Sequence, residues 1–494
     1  MVGVPGRSKG CNTCRRRKKG CDLQRPTCGQ CHKAGIECAG YERKRIFVNV
    51  TAPAKNKTSR ETEAVQSTPT IVPAASLSRS AYEDRVIDLF WDGYMPGLSV
   101  RLQSSPVMRY ALADWMDTLQ SLYKTDTALR QALLAFGLAT VGRREGQRWM
   151  MEDGLKLYCQ ALGATNAGLR HPRRWKSDAL LLASRLLGVY ELLYGADDRE
   201  RRDLSQADSW QGHALGEAAL VMNRGPAGHI DGHAHQLLCS GRVHLTTIHI
   251  KLRQRCFLSY PAWKTIPWTR HPKSPRDVMI DTFVDVPGLL ESLDLLRDCD
   301  PGPEKEFRRT RVVEECWRMD RELTWWFENL GPKTELEDLE ARGVDNPTVG
   351  DVAVASIMCL FYTACLLTYS SLRLATATKV DVELPERTDP RIYCTKIANT
   401  VGVFFAPAAG TWGMLSAPLP IGMALVYLNS TEAGFASEDK RKLASFFVKT
   451  NSGVGIGKFL VSTQSNGIVP RGSVVMLKPA VIRAKARSWI GPAE

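Results

Sequence analysis

The sequence predicts a small zinc-nucleated binuclear cluster module with two short helices, followed by a large all-α domain. Six cysteines lie within the first 38 residues at metal-ligand spacing. A segment without any aromatic residue follows at 51–80, and beyond it apolar residues recur every three to four positions. We therefore expect a zinc-cluster module at 1–50, a flexible linker at 51–80 and a helical domain at 81–494.

The N-terminal cysteines form one unit, C-x2-C-x6-C, which occurs twice. A structural zinc ion takes four ligands in a tetrahedron, so two zinc ions need about eight ligand positions from the available sulfurs. The count closes only if one cysteine of each half bridges both metals, and we assign the bridges to the first cysteine of each unit. The candidate metal ligands are Cys11, Cys14, Cys21, Cys28, Cys31 and Cys38.

A run of cations, Arg15–Lys19, lies between the second and third cysteines. The equivalent stretch of the second unit, residues 32–37, is nearly neutral. A metal-pinned turn that carries such a basic run suits a polyanion. We therefore expect halves that are alike in shape and different in role, the first contacting the polyanion and the second supporting it.

The spacing, the basic run and Pro26 in the loop between the halves resemble the fungal-type binuclear zinc-cluster (Zn(2)-C6) transcription factors. The resemblance covers residues 7 to about 45. It implies two Zn2+ in a thiolate-bridged cluster, with the first and fourth cysteines bridging, and double-stranded DNA as the partner, at CGG-type half-sites. The family's base-reading pair falls on Arg17 and Lys18. The expected phosphate contacts are Arg15, Arg16, Lys19, Arg43, Lys44 and Arg45.

The charge distribution agrees with a local nucleic-acid footprint. Residues 1–60 hold 15 Lys and Arg against 3 Asp and Glu, a net charge of +12. The whole chain carries +14, which leaves only +2 for the remaining 434 residues. A basic terminal run can also be a solvated, disordered tail, but the adjoining zinc spacing favours a folded phosphate-binding module.

Cysteine usage and targeting signals bear on the compartment. The eight cysteines outside the module are scattered without paired spacing, which fits a reducing interior rather than a disulfide framework. No secretory signal is visible in Met1–Gly10. The basic clusters Arg15–Lys19 and Arg43–Arg45 are of the kind that serve in nuclear import, so we expect the protein in the nucleus.

A membrane segment has one candidate. Val352–Tyr369 is a stretch of 18 residues without a charge, at the lower limit of a membrane-spanning helix. A central helix of a large helical domain is also apolar all round. We interpret this stretch as such a core helix and expect no membrane partner.

The helical domain has clear amphipathic faces. Leu129, Leu133 and Phe136 lie at i, i+4 and i+7 behind a helix cap at Asp126, and one apolar face runs from Val312 to Leu330. Loops are predicted near 170–176, 196–206, 269–275, 331–350 and 377–390. The linker contains prolines and shows no a/d heptad, so a homodimer, if it forms, needs another element.

A second, diffuse resemblance covers about 80–470. Ser105-Pro106, Trp210-x2-His213-x2-Gly216 and Arg255-Cys256-Phe257-Leu258 resemble parts of the helical regulatory domain found behind such clusters, notably in regulators of fungal secondary-metabolite gene clusters. The resemblance implies a regulatory role, the transcription machinery as partner, and control of a metabolic or secondary-metabolite gene cluster.

The sequence patterns that could indicate another metal or phosphate site in the helical domain are weak. Histidines between His229 and His249, with Asp231 among them, offer metal ligands, but no cysteine or carboxylate partner lies at ligand spacing. Gly453–Lys458 lacks the phosphate-loop pattern, and we interpret it as a flexible helix connection. No catalytic residue is predicted.

Two other functional classes stay open. One is an enzyme or helical metabolite-binding protein with an ancillary zinc module, which would not need the basic run. The other is a zinc module for RNA, which the lack of aromatic residues between Cys11 and Cys38 disfavours.

Overall fold

The computed structural model describes residues 10–41, 75–96, 115–195, 205–343, 346–377, 383–432, 437–449 and 451–465. The chain divides into two compact units, Met1–Val72 and Pro73–Glu494. Most of the predicted linker and the Arg43–Arg45 cluster lie outside the described residues.

Unit 1 contains two short helices in its described part. Helix α1 is Asn12–Arg16 and helix α2 is Gly29–Lys33. Each helix begins directly after the first cysteine of its C-x2-C-x6-C unit. The buried cluster of this unit consists of cysteines, with Tyr41 packed against it, so its fold depends on what those sulfurs bind.

Unit 2 is built from helices, and its described residues contain no strand. This confirms the prediction of an all-α body for the part of the chain that the structure describes. The helices are α3 (Ala75–Tyr94), α4 (Trp115–Leu122), α5 (Thr127–Arg144), α6 (Arg148–Leu169), α7 (Asp178–Tyr194), α8 (Gln206–Arg224), α9 (Gly232–Leu252), α10 (Pro261–Thr265), α11 (Pro275–Phe283), α12 (Val286–Arg297), α13 (Pro303–Asn329), α14 (Lys333–Arg342), α15 (Val349–Thr376), α16 (Pro390–Thr400), α17 (Gly410–Ser416), α18 (Pro418–Thr431), α19 (Glu438–Lys449) and α20 (Asn451–Ser465).

The predicted amphipathic faces are buried. The Asp126 side chain caps α5 by accepting the Leu129 N–H at 3.0 Å, and the predicted Leu129, Leu133 and Phe136 face is in the core. The stripe that begins at Val312 is buried along α13. Most buried apolar side chains of unit 2 form one contiguous cluster. A smaller cluster consists of Trp210, Ala214, Ile248 and Phe459.

Helix α15 contains the apolar stretch Val352–Tyr369. Its start is a capping box, in which Thr348 Oγ1 accepts the Asp351 N–H at 3.2 Å and Asp351 Oδ2 accepts the Thr348 N–H at 2.7 Å. Among the described residues, α15 is long and apolar enough to cross a membrane, and 89% of its most apolar window is buried inside the protein. The bent pair Pro407–Ser416 and Pro418–Thr431 passes the same test only as one span.

Three predictions of local structure are wrong. Helix α3 begins at Ala75, inside the predicted linker, so residues 75–80 are helical. Helix α14 occupies half of the predicted 331–350 loop, because Leu336 and Leu339 bury one face of an otherwise polar segment. Residues 453–458 are not a flexible connection but part of α20.

The glycines of α20 serve close packing rather than flexibility. A Cβ on Gly457 would lie 3.2 Å from the side chain of Phe447, and one on Gly455 would lie 3.1 Å from the Leu193 carbonyl oxygen. Larger residues at these positions would therefore push α20 away from its neighbours.

Candidate metal centre and nucleic-acid interface

The two halves of the cysteine module share one local geometry. In the first half Cys11 Sγ accepts the Cys14 N–H at 3.3 Å. In the second half Cys28, the residue that caps α2, has its Sγ accept the Cys31 N–H at 3.3 Å. Each short helix thus presents the sulfur that precedes it and the sulfur in its first turn to the same centre.

The sulfurs fall into two groups of four. Within each group the sulfurs lie within 4.8 Å of one another, and Cys11 and Cys28 belong to both groups. Their Sγ atoms are 3.6 Å apart, close to the roughly 3.8 Å that two ligands span on a zinc tetrahedron with bonds of about 2.3 Å. The two groups are Cys11, Cys14, Cys21 and Cys28, and Cys11, Cys28, Cys31 and Cys38.

The donor set suits two zinc ions sharing two thiolates. All six residues are free thiols rather than disulfides. Burial raises the pKa of Cys14, whereas backbone N–H donors, led by that of Cys11, lower the pKa of Cys21 to about 6. Six thiolates cannot ionise together in so small a volume without cations. Two Zn2+ would supply four positive charges and leave the cluster with a net charge of about −2.

Hydrogen bonds outside the cysteines hold α1 in place. Thr13 Oγ1 donates to the Glu37 carbonyl oxygen at 3.1 Å and accepts the Ala39 N–H at 2.9 Å. The Asn12 N–H donates to the Gly40 carbonyl oxygen at 2.9 Å. The start of the first half is thereby fixed to the end of the second. No sequence pattern marks these residues, because their partners are more than twenty positions away.

The loop between the halves is also tied down by side chains. Asp22 Oδ1 accepts the Gly29 N–H at 3.0 Å, at the start of α2. The Tyr41 hydroxyl donates to the Gln24 carbonyl oxygen at 2.7 Å and lies 3.6 Å from Cys21 Sγ. These contacts give the module a fixed shape around its sulfurs.

The basic run lies at the end of α1 rather than along it. The helix ends at Arg16, and Lys18 has a left-handed backbone with φ of 54°. The Lys19 N–H donates to the Cys14 carbonyl oxygen at 3.0 Å, which is the six-to-one bond of a Schellman turn. Arg15 and Arg16 therefore belong to α1, whereas Arg17 and Lys18 form its terminating turn.

The second half ends its helix in the same way, with a different residue at the critical position. The Ile36 N–H donates to the Cys31 carbonyl oxygen at 3.1 Å, and the left-handed residue is Gly35, with φ of 65°. Lys18 thus stands where the equivalent turn has glycine, the residue that adopts this conformation most easily. A non-glycine residue in this conformation motivates the hypothesis that its side chain has a functional role.

The terminating turn of α1 is a free cationic surface. Arg16, Arg17, Lys18 and Lys19 are exposed. Only Asp22 and Glu37 are acidic within residues 10–41, and none of the four cations forms an ion pair with either of them. Their charges are therefore available to an external anion.

The cysteine module also matches a known protein family. Residues 9–46 match the fungal Zn(2)-Cys(6) binuclear cluster domain. This segment is therefore a zinc-binding, DNA-binding domain of the type found in transcription regulators.

One curated relative is similar to part of the chain. An uncharacterized protein of Emericella nidulans is 27% identical to this chain over 122 residues, which are 25% of this chain and 24% of that protein. The chain thus matches about a quarter of this relative's length. No solved structure matches the chain.

Some predicted contact residues cannot be placed. Arg15 lies in α1, but its side chain is not among those described. Arg43, Lys44 and Arg45 lie outside the described residues. Their roles stay predictions from the sequence.

The histidines of unit 2 do not converge on a metal. His229 Nδ1 lies 3.0 Å from the Ala234 carbonyl oxygen, and His249 Nδ1 lies 2.7 Å from that of Leu245. Burial lowers the pKa of both rings. Asp231 pairs with basic groups of another loop instead. In the described part of the chain, only the cysteine groups have a metal-binding arrangement.

Proposed function

We propose that this chain is a sequence-specific, DNA-binding transcription regulator of a fungal nucleus. The observation that carries the proposal is the exposed turn after α1, where Lys18 keeps a left-handed backbone that the equivalent turn gives to Gly35. The zinc cluster fixes this turn on both sides, because Cys14 precedes it and Cys21 follows it.

The roles of the basic residues differ in this proposal. Arg17 and Lys18 protrude at the end of the helix and donate to the O6 and N7 acceptors of guanine in the major groove. The flanking cations bind phosphates and fix the register of the module on the duplex. The phosphate-binding residues are Arg15, Arg16, Lys19, Arg43, Lys44 and Arg45.

Unit 2 is proposed as the regulatory part, acting through the transcription machinery on a metabolic or secondary-metabolite gene cluster. The N-terminal zinc-cluster domain supports this proposal, and with it that the chain is not an enzyme. A homodimer would require contacts within this unit, since the linker sequence shows no heptad repeat.

Selection of binding sites from random double-stranded DNA tests the proposal. The zinc-loaded protein should enrich a G·C-rich triplet of the CGG type, and removal of zinc should abolish the enrichment. The double variant Arg17→Ala, Lys18→Ala should lose it as well. Lys33→Ala removes a cation from the end of α2 and serves as the matched control, which should select the same triplet. Enrichment of no sequence by the zinc-loaded protein would contradict the proposal.

A further inference from the structure

Unit 2 contains a large, partly open cavity. Its volume is about 950 Å³, at the upper end of the roughly 300–1,000 Å³ typical of small-molecule sites. Residues of α7, α8, α9, α15, α17, α18 and α20 line it. Members of the main core cluster and of the smaller cluster around Trp210 both face this space.

One face of α9 supplies a polar stripe to the cavity. Ser240, His244, Thr247 and Lys251 all line it, and their spacing of four, three and four residues places them on one side of the helix. Most of the remaining lining is aliphatic or aromatic. The cavity therefore offers a largely apolar space with a row of polar side chains along one helix.

The charged lining is entirely cationic. The charged residues that line the cavity are Arg185, Lys251, Arg253 and Arg276. Two of them form ion pairs with carboxylates that do not line the cavity, Arg185 with Glu217 and Arg253 with Asp294, each at 2.6 Å. Lys251 and Arg276 form no ion pair with any carboxylate in the described part of the chain. The cavity thus retains positive charge that an anion would balance.

Lys251 is the better placed of the two unpaired cations. Its Nζ donates to the Ala207 carbonyl oxygen at a long 3.4 Å and lies 5.8 Å from the centre of the Trp210 ring. Burial lowers the pKa of Lys251 to about 8, although Asp208 acts in the opposite direction. A bound anion would stabilise the charged ammonium that this site otherwise disfavours.

Two residues that line the cavity each carry a buried polar atom without a hydrogen-bond partner in the described structure. Trp412 is 1% exposed and its Nε1 has no acceptor among the described residues. His244 Nε2 makes no hydrogen bond there and lies 3.6 Å from Glu217 Oε2. Unsatisfied buried polar groups cost about 1–3 kcal/mol each, a cost that an oxygen-bearing ligand would offset.

We propose that this cavity binds a small amphipathic organic acid, with its apolar body in the aliphatic and aromatic lining and its anionic group at Lys251. The site does not rest on the proposed DNA binding, because it lies wholly within unit 2. It would stand even if unit 1 bound no DNA.

A pair of fluorescent probes separates the anionic from the apolar part of the recognition. The first probe, 1-anilinonaphthalene-8-sulfonate, carries a sulfonate, and N-phenyl-1-naphthylamine is the same ring system without it. Both should bind the full chain at one site, with the sulfonate bound about tenfold more tightly. Lys251→Gln should remove that preference and leave the neutral probe's affinity within about twofold.

Matched variants keep the test decisive. Lys156→Gln removes an exposed lysine of α6 that pairs with Asp153, and it should change neither affinity. Leu419→Trp and Met423→Phe fill the cavity from α18 and should weaken both probes at least tenfold while the helical circular dichroism is retained. The proposal is overturned if Lys251→Gln keeps the sulfonate preference, or if both filling variants, still folded, bind the probes as before.

Discussion

Lys18 and Gly35 occupy equivalent positions in the two halves of the zinc module. Both have a positive φ and both end a short helix in the same hydrogen-bond pattern. A left-handed backbone costs an L residue about 1–2 kcal/mol, whereas glycine adopts it with little penalty. A lysine at this site therefore gives up stability, a loss that the DNA-contact role proposed for its side chain would explain.

Replacing Lys18 with glycine should stabilise the zinc module by about 1 kcal/mol. The change should be visible as a higher chelator concentration at the midpoint of zinc loss. Gly35→Ala is the reciprocal control, since a Cβ there would meet nothing within 4 Å and only the backbone penalty remains. That variant should be destabilised by a similar amount. A less stable Lys18→Gly variant would contradict the assigned backbone role.

The shared sulfurs should be distinguishable from the unshared ones by metal content. Because Cys11 and Cys28 each belong to both four-sulfur groups, Cys28→Ala should disrupt both zinc sites. Cys38 belongs to one group only, so Cys38→Ala should damage mainly that site. Native mass spectrometry counts the bound zinc ions directly. One zinc ion in the intact module would refute the bridged cluster.

In unit 2, the capping of helix ends and the apolar faces of the helices determine which segments of the chain are helical. The capping box at the start of α15 provides acceptors for the backbone N–H groups of Thr348 and Asp351, which have no partner within the helix. The long apolar stretch of α15 is explained by the burial of the helix on nearly all sides. Both features are local in sequence.

Thr348→Ala removes the side-chain half of this capping box. It should lower the free energy of unfolding of unit 2 by about 1 kcal/mol, measured by denaturant unfolding. Thr376→Ala is a matched control near the other end of α15, where the hydroxyl donates back to the Leu372 and Arg373 carbonyl oxygens of the same helix. It should change stability much less. Equal losses for both variants would show that the cap is not what stabilises the helix start.

Helices with a long apolar stripe could be predicted from sequence, and short or atypical ones could not. The α5 and α13 faces repeat apolar residues over several turns, so periodicity identifies them. Helix α14 has only Leu336 and Leu339 on its buried face, and its acidic sequence resembles a loop. Helix α20 carries glycines that tertiary packing requires, which composition alone cannot distinguish from flexibility.

The candidate site likewise has features that the sequence predicts and features that it does not. Cysteine spacing predicts the ligand groups because zinc fixes the geometry that the spacing must satisfy. The contacts of Thr13 with residues 37–39 depend on long-range folding and have no sequence signature. The left-handed turn at Lys18 was also unpredictable, because its only local indication is the glycine of the other half.

At the scale of the whole molecule, the two units differ in what stabilises them. Unit 1 has a buried cluster made of cysteines, whereas unit 2 has an extensive apolar core. Zinc binding supplies the folding free energy of modules of the first kind. The positive charge of the chain is likewise concentrated near its N-terminus.

Chelation of zinc should therefore unfold unit 1 alone. The far-ultraviolet circular dichroism of the full chain should change little, because nearly all described helical residues lie in unit 2. DNA binding should be lost at the same chelator concentration. Collapse of the helical signal together with zinc loss would contradict this independence.

In the proposed mode of DNA recognition, the turn after α1 reads bases while its neighbours bind phosphate. The most direct test measures affinity for the selected DNA site, and for the same site with its guanines replaced, over a salt series. Lys18→Gly should cost about 1–3 kcal/mol on the selected site and little on the altered one. Lys19→Ala should weaken both DNAs alike and reduce the salt slope by about one. Equal losses on both DNAs for Lys18→Gly would contradict the claim.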